Sequence, residues 1–252
     1  MSAVAIVTGG AQGIGWATAR RLAEEWPHVV IVDLDGPSAE ARARDLGDGH
    51  LGLGVDVTCQ ADVVAMLETV IATFGRIDVL INNAGIAERS APTLEQSIAD
   101  FERVLRVHLH GTFLMSQAVA GEMLKGDGGA IVNLSSIAGL GGIPTRNAYS
   151  AAKAGIVGMT RSMACEWARQ GVRVNAVAPG YVRTALVAEL ARTGAIDLAT
   201  LEARTPMGRL AQAEEISEAI AFLASPRASF MTGSVLVADG GWTALGAPES
   251  AL

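Results

Sequence analysis

A short apolar run, Ala3–Thr8, leads straight into Gly9-Gly-Ala-Gln-Gly-Ile-Gly15, and Trp16–Trp26 then carries a helical pattern. This opening restricts the fold more than any other stretch. A strand that turns through glycines into a helix leaves backbone N–H groups uncovered at the helix N-terminus, where a phosphate can approach. The strand-then-helix unit recurs. Strands are expected at Val29–Asp33, Leu51–Asp56, Asp78–Asn82, Ala130–Ser135, Val172–Ala178 and Val235–Ala238, and helices over Ser38–Leu46, Ala61–Phe74, Ile98–Met123, Ala148–Arg169 and Ala213–Ala224. Such alternation predicts an α/β fold: a doubly wound parallel sheet with helices on both faces. Ligands of these sheets collect at the carboxyl ends of the strands.

Composition narrows the function classes. The chain has 252 residues, half of them hydrophobic and 18% charged, which allows a large core and argues against disorder. No linker or repeat divides it, so residues 1–252 read as a single domain. A net charge of −7, with both signs interspersed, argues against nucleic-acid or anionic-membrane partners. Cys59 and Cys165 make neither a disulfide framework nor a metal-type spacing, so no metal site is expected. With no signal-peptide pattern and no spanning apolar run, a cytoplasmic location is expected.

Several positions can hold a dinucleotide. Gly9, Gly13 and Gly15 follow a Gly-x-x-x-Gly-x-Gly spacing, with Gln12 and Ile14 between them, rather than the commoner Gly-x-Gly-x-x-Gly. Their strand–turn–helix setting favours phosphate binding over a merely tight turn. Asp33, at the end of the second strand, can accept hydrogen bonds from a ribose and would repel a 2′-phosphate, although a turn-forming role before Gly36-Pro37 also exists. Asp56, followed by Val57, can face an adenine edge or cap a turn. Asn82-Asn-Ala-Gly85 ends the fourth strand; its amides can satisfy neighbouring strand ends, and Gly85 allows close approach of a cofactor.

The reactive chemistry lies between Asn133 and Lys153. Tyr149 and Lys153, in Tyr-Ser-Ala-Ala-Lys, share one face of a helix, and Ser136 ends an apolar strand. A phenol is a weak base at neutral pH, and lowering its pKa from 10 to 7 takes about 4 kcal/mol. An ammonium one turn away, together with an oxidised nicotinamide, favours the phenolate. A Tyr–Lys pair at this spacing also arises by chance, so the surrounding motifs carry the assignment.

Together, Thr8-Gly-Gly-Ala-Gln-Gly-Ile-Gly15, Asn82-Asn-Ala-Gly85, Ser136, Tyr149-Ser-Ala-Ala-Lys153 and Pro179-Gly180 resemble the motif set of the short-chain dehydrogenase/reductase family, in its compact, non-extended branch. The resemblance spans nearly the whole chain in the right order. It implies a Rossmann-type sheet of about seven strands, a nicotinamide cofactor and a Ser136–Tyr149–Lys153 catalytic set. It also implies cofactor contacts at Asn83, Ala84, Gly85, Pro179, Gly180, Val182 and Thr184, the last to the nicotinamide carboxamide, with Tyr149 and Lys153 also touching the cofactor. The closing Asp239-Gly-Gly-Trp242 resembles a family segment that often reaches a subunit interface.

One position departs from the family pattern. His108, in Val107-His-Leu-His-Gly111, stands where the family usually has an asparagine supporting a proton-relay water. Its imidazole can titrate, or it can stay neutral while its backbone carbonyl holds the water; the second is the expectation here.

The reading is an NAD-dependent oxidoreductase interconverting a secondary alcohol and a ketone by hydride transfer. An NADPH-dependent 3-oxoacyl reductase is the alternative enzyme, disfavoured by Asp33 and by Gln12, where NADPH users often carry a basic residue. A non-catalytic dinucleotide-sensing protein is the alternative from another class, disfavoured by the intact Ser–Tyr–Lys set. The amphipathic insertion Tyr181–Leu210 is expected to form the substrate lid, with Leu186, Val187, Leu190, Ile196, Leu198 and Leu201 beside charged residues. A homotetramer is expected by resemblance. Ala151, Ala152, Ala154, Gly155 and Gly158 suit either close helix approach between subunits or dense packing on the chain's own sheet.

Overall fold

A computed structural model describes residues 3–192, 194 and 196–246. Its strands are β1 (Val4–Thr8), β2 (His28–Asp33), β3 (Leu51–Gly54), β4 (Val79–Asn82), β5 (Gly129–Leu134), β6 (Val172–Pro179), β7 (Val182–Arg183), β8 (Ala211–Gln212) and β9 (Val235–Ala238). Seven of them form one parallel sheet in the order β3-β2-β1-β4-β5-β6-β9, while β7 and β8 pair separately. The helices are α1 (Gly13–Ala23), α2 (Gly36–Leu46), α3 (Gln60–Phe74), α4 (Ile98–Leu105), α5 (Gly111–Met123), α6 (Asn147–Trp167), α7 (Ala185–Arg192), α8 (Leu198–Arg204) and α9 (Ala213–Ala224). No helix among the described residues is long and apolar enough to cross a membrane.

Successive strand residues point to opposite faces, which explains the continuous apolar runs. In β1, Val4 and Ile6 join a core completed by α3, α5 and α6 through Val63, Met66, Met115 and Met163. Ala5 and Val7 join the opposite core, completed by α1, α2 and α9 through Leu22, Ala39, Ile216 and Ile220. Both faces are therefore buried, and the strand order reverses between β1 and β4. In a doubly wound sheet such a reversal leaves a crevice at the carboxyl ends of the two strands.

The structure moves several boundaries. α1 begins at Gly13 rather than Trp16 and ends at Ala23, because Trp16 N donates to Gln12 O at 3.1 Å and closes the first turn inside the glycine segment. Gly13 and Gly15 are thus helix residues. β3 stops at Gly54, leaving Asp56 beyond the strand. The helix expected over Ile98–Met123 is not regular: Arg106–His110 is a π-helical turn, in which Gly111 N donates to Arg106 O, five residues back. The insertion expected to form a lid carries α7 and α8 and is tied at its ends by the β7–β8 pair. Within it Val187, Leu190, Leu198 and Leu201 are half-buried while Glu189, Arg192 and Asp197 are exposed. The Leu186 side chain lies outside the described residues.

Candidate active site

The crevice is fastened at its base by side chains. Thr8 Oγ1 donates to Ile81 O and accepts from Asn83 N and Ala84 N, both at 3.0 Å. Asn83 Nδ2 donates to Thr8 O at 2.9 Å and Gly9 O at 3.0 Å, so this asparagine satisfies the end of β1 as expected. Asn82 serves the interior instead, donating to Asn133 Oδ1 at 2.8 Å and Ser116 Oγ at 2.9 Å; Asn133 in turn donates to Thr160 Oγ1. This buried network joins β4, β5, α5 and α6. Its sequence signal was a polar residue inside the otherwise apolar run Ala130–Leu134.

The glycine turn has the shape of a cradle that no side chain can enter. A Cβ on Gly15 would lie 2.0 Å from Gly9 O and 2.5 Å from Asn83 Nδ2, and Gly9 and Gly13 adopt left-handed φ values of +60° and +55°. Thr184, at the start of the lid, approaches this turn: its Cγ2 lies 3.6 Å from where a Gly13 Cβ would be. Gln12 is exposed and Ile14 half-buried at the start of α1, whose free N–H groups suit a pyrophosphate. Asp33 faces the same turn, accepting from Ala11 N at 3.1 Å and Asp35 N at 3.2 Å. Asp56 closes a turn by accepting from Thr58 N at 2.9 Å, and buried Val57 packs against Gly111. Gly180 N donates to Ala238 O, fixing Pro179-Gly180 beside β9, and Val182 is buried at the lid hinge. These residues fit a nicotinamide dinucleotide.

Ser136, Tyr149 and Lys153 converge at the carboxyl end of β5. The Ser136 hydroxyl stands near enough to the Tyr149 phenol to favour its ionisation. Lys153 is buried one helical turn below Tyr149 and donates to Leu134 O at 2.6 Å, with its Nζ 5.5 Å from the tyrosine ring centroid. Ser135 Oγ donates to Lys153 O, and Gly139 lies so close that a Cβ would meet the Lys153 carbonyl carbon at 2.6 Å. α6 is thereby held against β5.

In the protein alone the Tyr149 pKa is raised, not lowered. Although part of the tyrosine is open, its hydroxyl lies deep, and burial raises its pKa; the Ser136 hydroxyl and the Arg146 charge pull the other way. Burial also pushes the Lys153 ammonium down, to about 7. A lysine only part-charged near neutrality gives the phenolate little help, so a further positive charge in the crevice is needed to activate it.

His108 is buried beside this set, its ring edge-on to Tyr149 at a centroid distance of 5.3 Å. Nε2 lies 2.9 Å from Ile86 O and 3.1 Å from Ile86 N, whereas Nδ1 has no partner among the described residues. Burial, with the Lys153 charge nearby, depresses its pKa to about 3, so the imidazole is neutral. Its carbonyl accepts from Thr112 Oγ1 at 2.7 Å. Gly85 serves this histidine: a Cβ there would lie 2.4 Å from His108 Cε1.

Sequence reasoning missed Glu88. It is buried, accepts from Ala148 N at 3.0 Å and Tyr149 N at 3.1 Å, and so caps α6 with both carboxylate oxygens. Arg146 Nη1 donates to the Glu88 backbone carbonyl at 2.7 Å. An acid three residues after Gly85 carries no local pattern linking it to a helix so distant in sequence.

The family model described as enoyl-(acyl carrier protein) reductase matches residues 9–243. The chain belongs to the short-chain dehydrogenase/reductase family. It is 50% identical over 244 residues to cis-4-hydroxycyclohexanecarboxylate dehydrogenase of Sinomonas cyclohexanicum, covering 96% of this chain and 97% of that protein. It is 47% identical to the uncharacterized short-chain type dehydrogenase/reductase y4vI of Sinorhizobium fredii, over 98% of this chain but 45% of that longer protein. Among solved structures, ElxO with NADP bound superposes with a TM-score of 0.91 at 32% identity, over 97% of this short-chain dehydrogenase/reductase and all of that one (100%).

Ala152 is buried and Gly155 packs against Leu109 of the π-helical turn, whereas Ala151, Ala154 and Gly158 are exposed. The small residues of α6 thus pack densely within the chain on one side and leave an uncovered surface on the other. Tyr181 stacks edge-on against Trp242, with ring centroids 5.0 Å apart, joining the lid hinge to the closing segment.

Proposed function

We propose that this family member is an NAD-dependent dehydrogenase of secondary alcohols, with Ser136, Tyr149 and Lys153 as its catalytic residues. The observation that carries the reading is the buried Lys153, held by the Leu134 carbonyl with its Nζ 5.5 Å from the Tyr149 ring, in a sheet whose first strand ends in the glycine cradle. When bound, an oxidised nicotinamide supplies the hydride acceptor and a positive charge that favours the phenolate. Ser136 holds the carbinol oxygen. Tyr149 takes its proton as the C–H bond gives up hydride, leaving the ketone. Lys153, close to half-protonated near pH 7, holds the ribose and can pass the proton onward. His108 takes part through its backbone carbonyl rather than its imidazole.

In this reading Gly9, Gln12, Gly13, Ile14 and Gly15 hold the pyrophosphate, and Asp33 takes the adenosine ribose. Asp56 and Val57 flank the adenine, Asn83, Ala84 and Gly85 line the cofactor's other side, and Pro179, Gly180, Val182 and Thr184 meet the nicotinamide end. The alicyclic substrate in the Sinomonas relative's name makes a ring alcohol the first class to try. The exposed Ala151, Ala154 and Gly158 support a homo-oligomer, read as a tetramer of one-domain subunits.

A second reading, NADP dependence, is favoured by the NADP in the ElxO structure. One assay separates the two: reduced-nicotinamide absorbance with a panel of secondary alcohols and each cofactor. NAD should be preferred by wild type, and Asp33→Ala should narrow the gap. Equal turnover with NADP in wild type would overturn the cofactor assignment. Near-wild-type turnover by Tyr149→Phe, expected to lose about 10²–10⁴-fold, would remove that residue from the mechanism.

A further inference from the structure

Arg146 stands at the N-terminus of α6, three residues before Tyr149, and its setting is built rather than incidental. The preceding residue, Thr145, is the only non-glycine among the described residues with positive φ, at +68°. A β-branched residue adopts that conformation only where its surroundings impose it, and such strain gathers at functional sites. Here the surroundings are explicit. Thr145 O accepts from Ala91 N at 3.4 Å and Gln96 Nε2 at 3.2 Å, its Oγ1 lies 2.5 Å from Ser90 Oγ, and Asn147 Nδ2 donates to Thr93 Oγ1 and Gln96 Oε1. Arg146 itself is fixed at Nη1 by the Glu88 carbonyl.

That bond uses one of five guanidinium donors and leaves the charge uncompensated. None of the ion pairs among the described residues includes Arg146. The nearby Glu88 carboxylate is occupied by the α6 N–H groups instead. The Arg146 charge acts on the phenols of both Tyr149 and Tyr181, so the guanidinium is within electrostatic reach of the candidate base. A half-buried arginine, anchored by one hydrogen bond on a strained support one helical turn before the candidate base, is suited to a carboxylate, which it can grip with two parallel N–H bonds.

We propose that Arg146 determines substrate class by binding a carboxylate carried on the alcohol substrate, away from the carbinol carbon. The alcohol this site oxidises is therefore a hydroxy acid, with a ring or short chain between the two groups. This rests on the dehydrogenase reading above.

The test compares cis-4-hydroxycyclohexanecarboxylate with its methyl ester, in wild type and in Arg146→Gln, which keeps a donor for the Glu88 carbonyl but no charge. Wild type should favour the acid over the ester in kcat/KM, mainly through KM, and the acid-to-ester ratio should fall on the order of 10²-fold in the variant. Arg146→Lys should recover part of it. Equal use of acid and ester by wild type, or an equal fall on both in Arg146→Gln, would overturn the proposal. Calorimetric titration of the NAD complex with cyclohexanecarboxylate, which has no alcohol to oxidise, tests the subsite without turnover. Binding that weakens by a similar factor in Arg146→Gln supports it, and no binding, or equal binding, overturns it. If no secondary alcohol is turned over with either cofactor while carboxylate binding still depends on Arg146, the dehydrogenase reading falls and the anion subsite stands.

Discussion

Gly85 and His108 occupy one space: the imidazole Cε1 lies 2.4 Å and Nδ1 2.8 Å from where a Gly85 Cβ would be. Two aspects of the chain, a glycine in the Asn-Asn-Ala-Gly segment and a histidine in the π-helical turn, are therefore a single packing decision. The ring is held at Nε2 by Ile86 and edge-on by Tyr149, so it has nowhere to retreat.

Gly85→Ala should destabilise the chain by about 1–3 kcal/mol, the usual range for overpacking. His108→Asn in the same background should restore part of that loss, because the smaller amide vacates the clash. Urea midpoints of the two single variants and the double variant check this. Strict additivity would show that the two sites do not share space.

His108→Asn alone should leave the acidic limb of turnover against pH unchanged, because an imidazole depressed to about 3 is neutral throughout the working range. Loss of an ionisation near pH 6–7 would promote the side chain to proton transfer. Stability should respond instead. With the folded pKa below the unfolded one, the unfolded chain binds more protons between about 3 and 6.5, so wild type loses stability as pH falls through that window. The variant should gain on wild type by up to about 1.4 kcal/mol per pH unit there, read from urea midpoints at pH 7 and pH 5.

Lys153→Met should abolish turnover, and its stability relative to wild type should depend on pH. The lysine is pushed down to about 7 when folded, against 10.5 in the ordinary case. The unfolded chain therefore binds more protons between those values, and wild type gains stability as pH rises across them. The gain of wild type on Lys153→Met between pH 7.5 and 9.5 should approach about 1.4 kcal/mol per unit. A pH-independent difference would mean that Lys153 keeps its charge when folded.

Glu88→Gln should lower kcat more than it changes the KM for cofactor. The amide offers one acceptor where the carboxylate offers two, so one N–H at the start of α6 loses its partner, at a cost of about 1 kcal/mol. The charge also matters. Glu88 opposes ionisation of Tyr149, so its removal should move the tyrosine limb of the pH profile toward lower pH. The other charged or titratable groups acting there are Arg146, Tyr181, His108 and Lys153, all present in the variant. A profile that keeps its midpoint while the melting temperature falls would reduce Glu88 to a structural cap.

The sheet and the convergence of Ser136, Tyr149 and Lys153 could be read from the sequence because both rest on local rules: apolar runs of strand length, glycines at a turn and residues four apart on a helix. Asn83 was readable for the same reason, as a polar side chain beside strand ends that need donors. Glu88, the Asn133–Thr160 pair and the Gly85–His108 contact were not, because each depends on residues brought together only by the fold. The raised pKa of Tyr149 in the protein alone was not legible for a different reason. Spacing gives proximity but not burial, and burial here outweighs the Coulomb attraction that proximity suggests. The start of α1 was missed because glycine is a poor helix former, whereas this helix takes its first turn from glycines on purpose of shape, not propensity.

The π-helical turn at Arg106–His110 also sets a phase. One residue beyond the regular repeat offsets the faces of α4 and α5 by about 100°. That offset lets α4 lie against α6 while α5 lies against α3, β4 and β5, although the two helices follow one another without a loop. The segment therefore tolerates substitution more readily than a change of length. Deleting a single residue from it would restore regular winding, and Val104 and Met115 could no longer both face the interior.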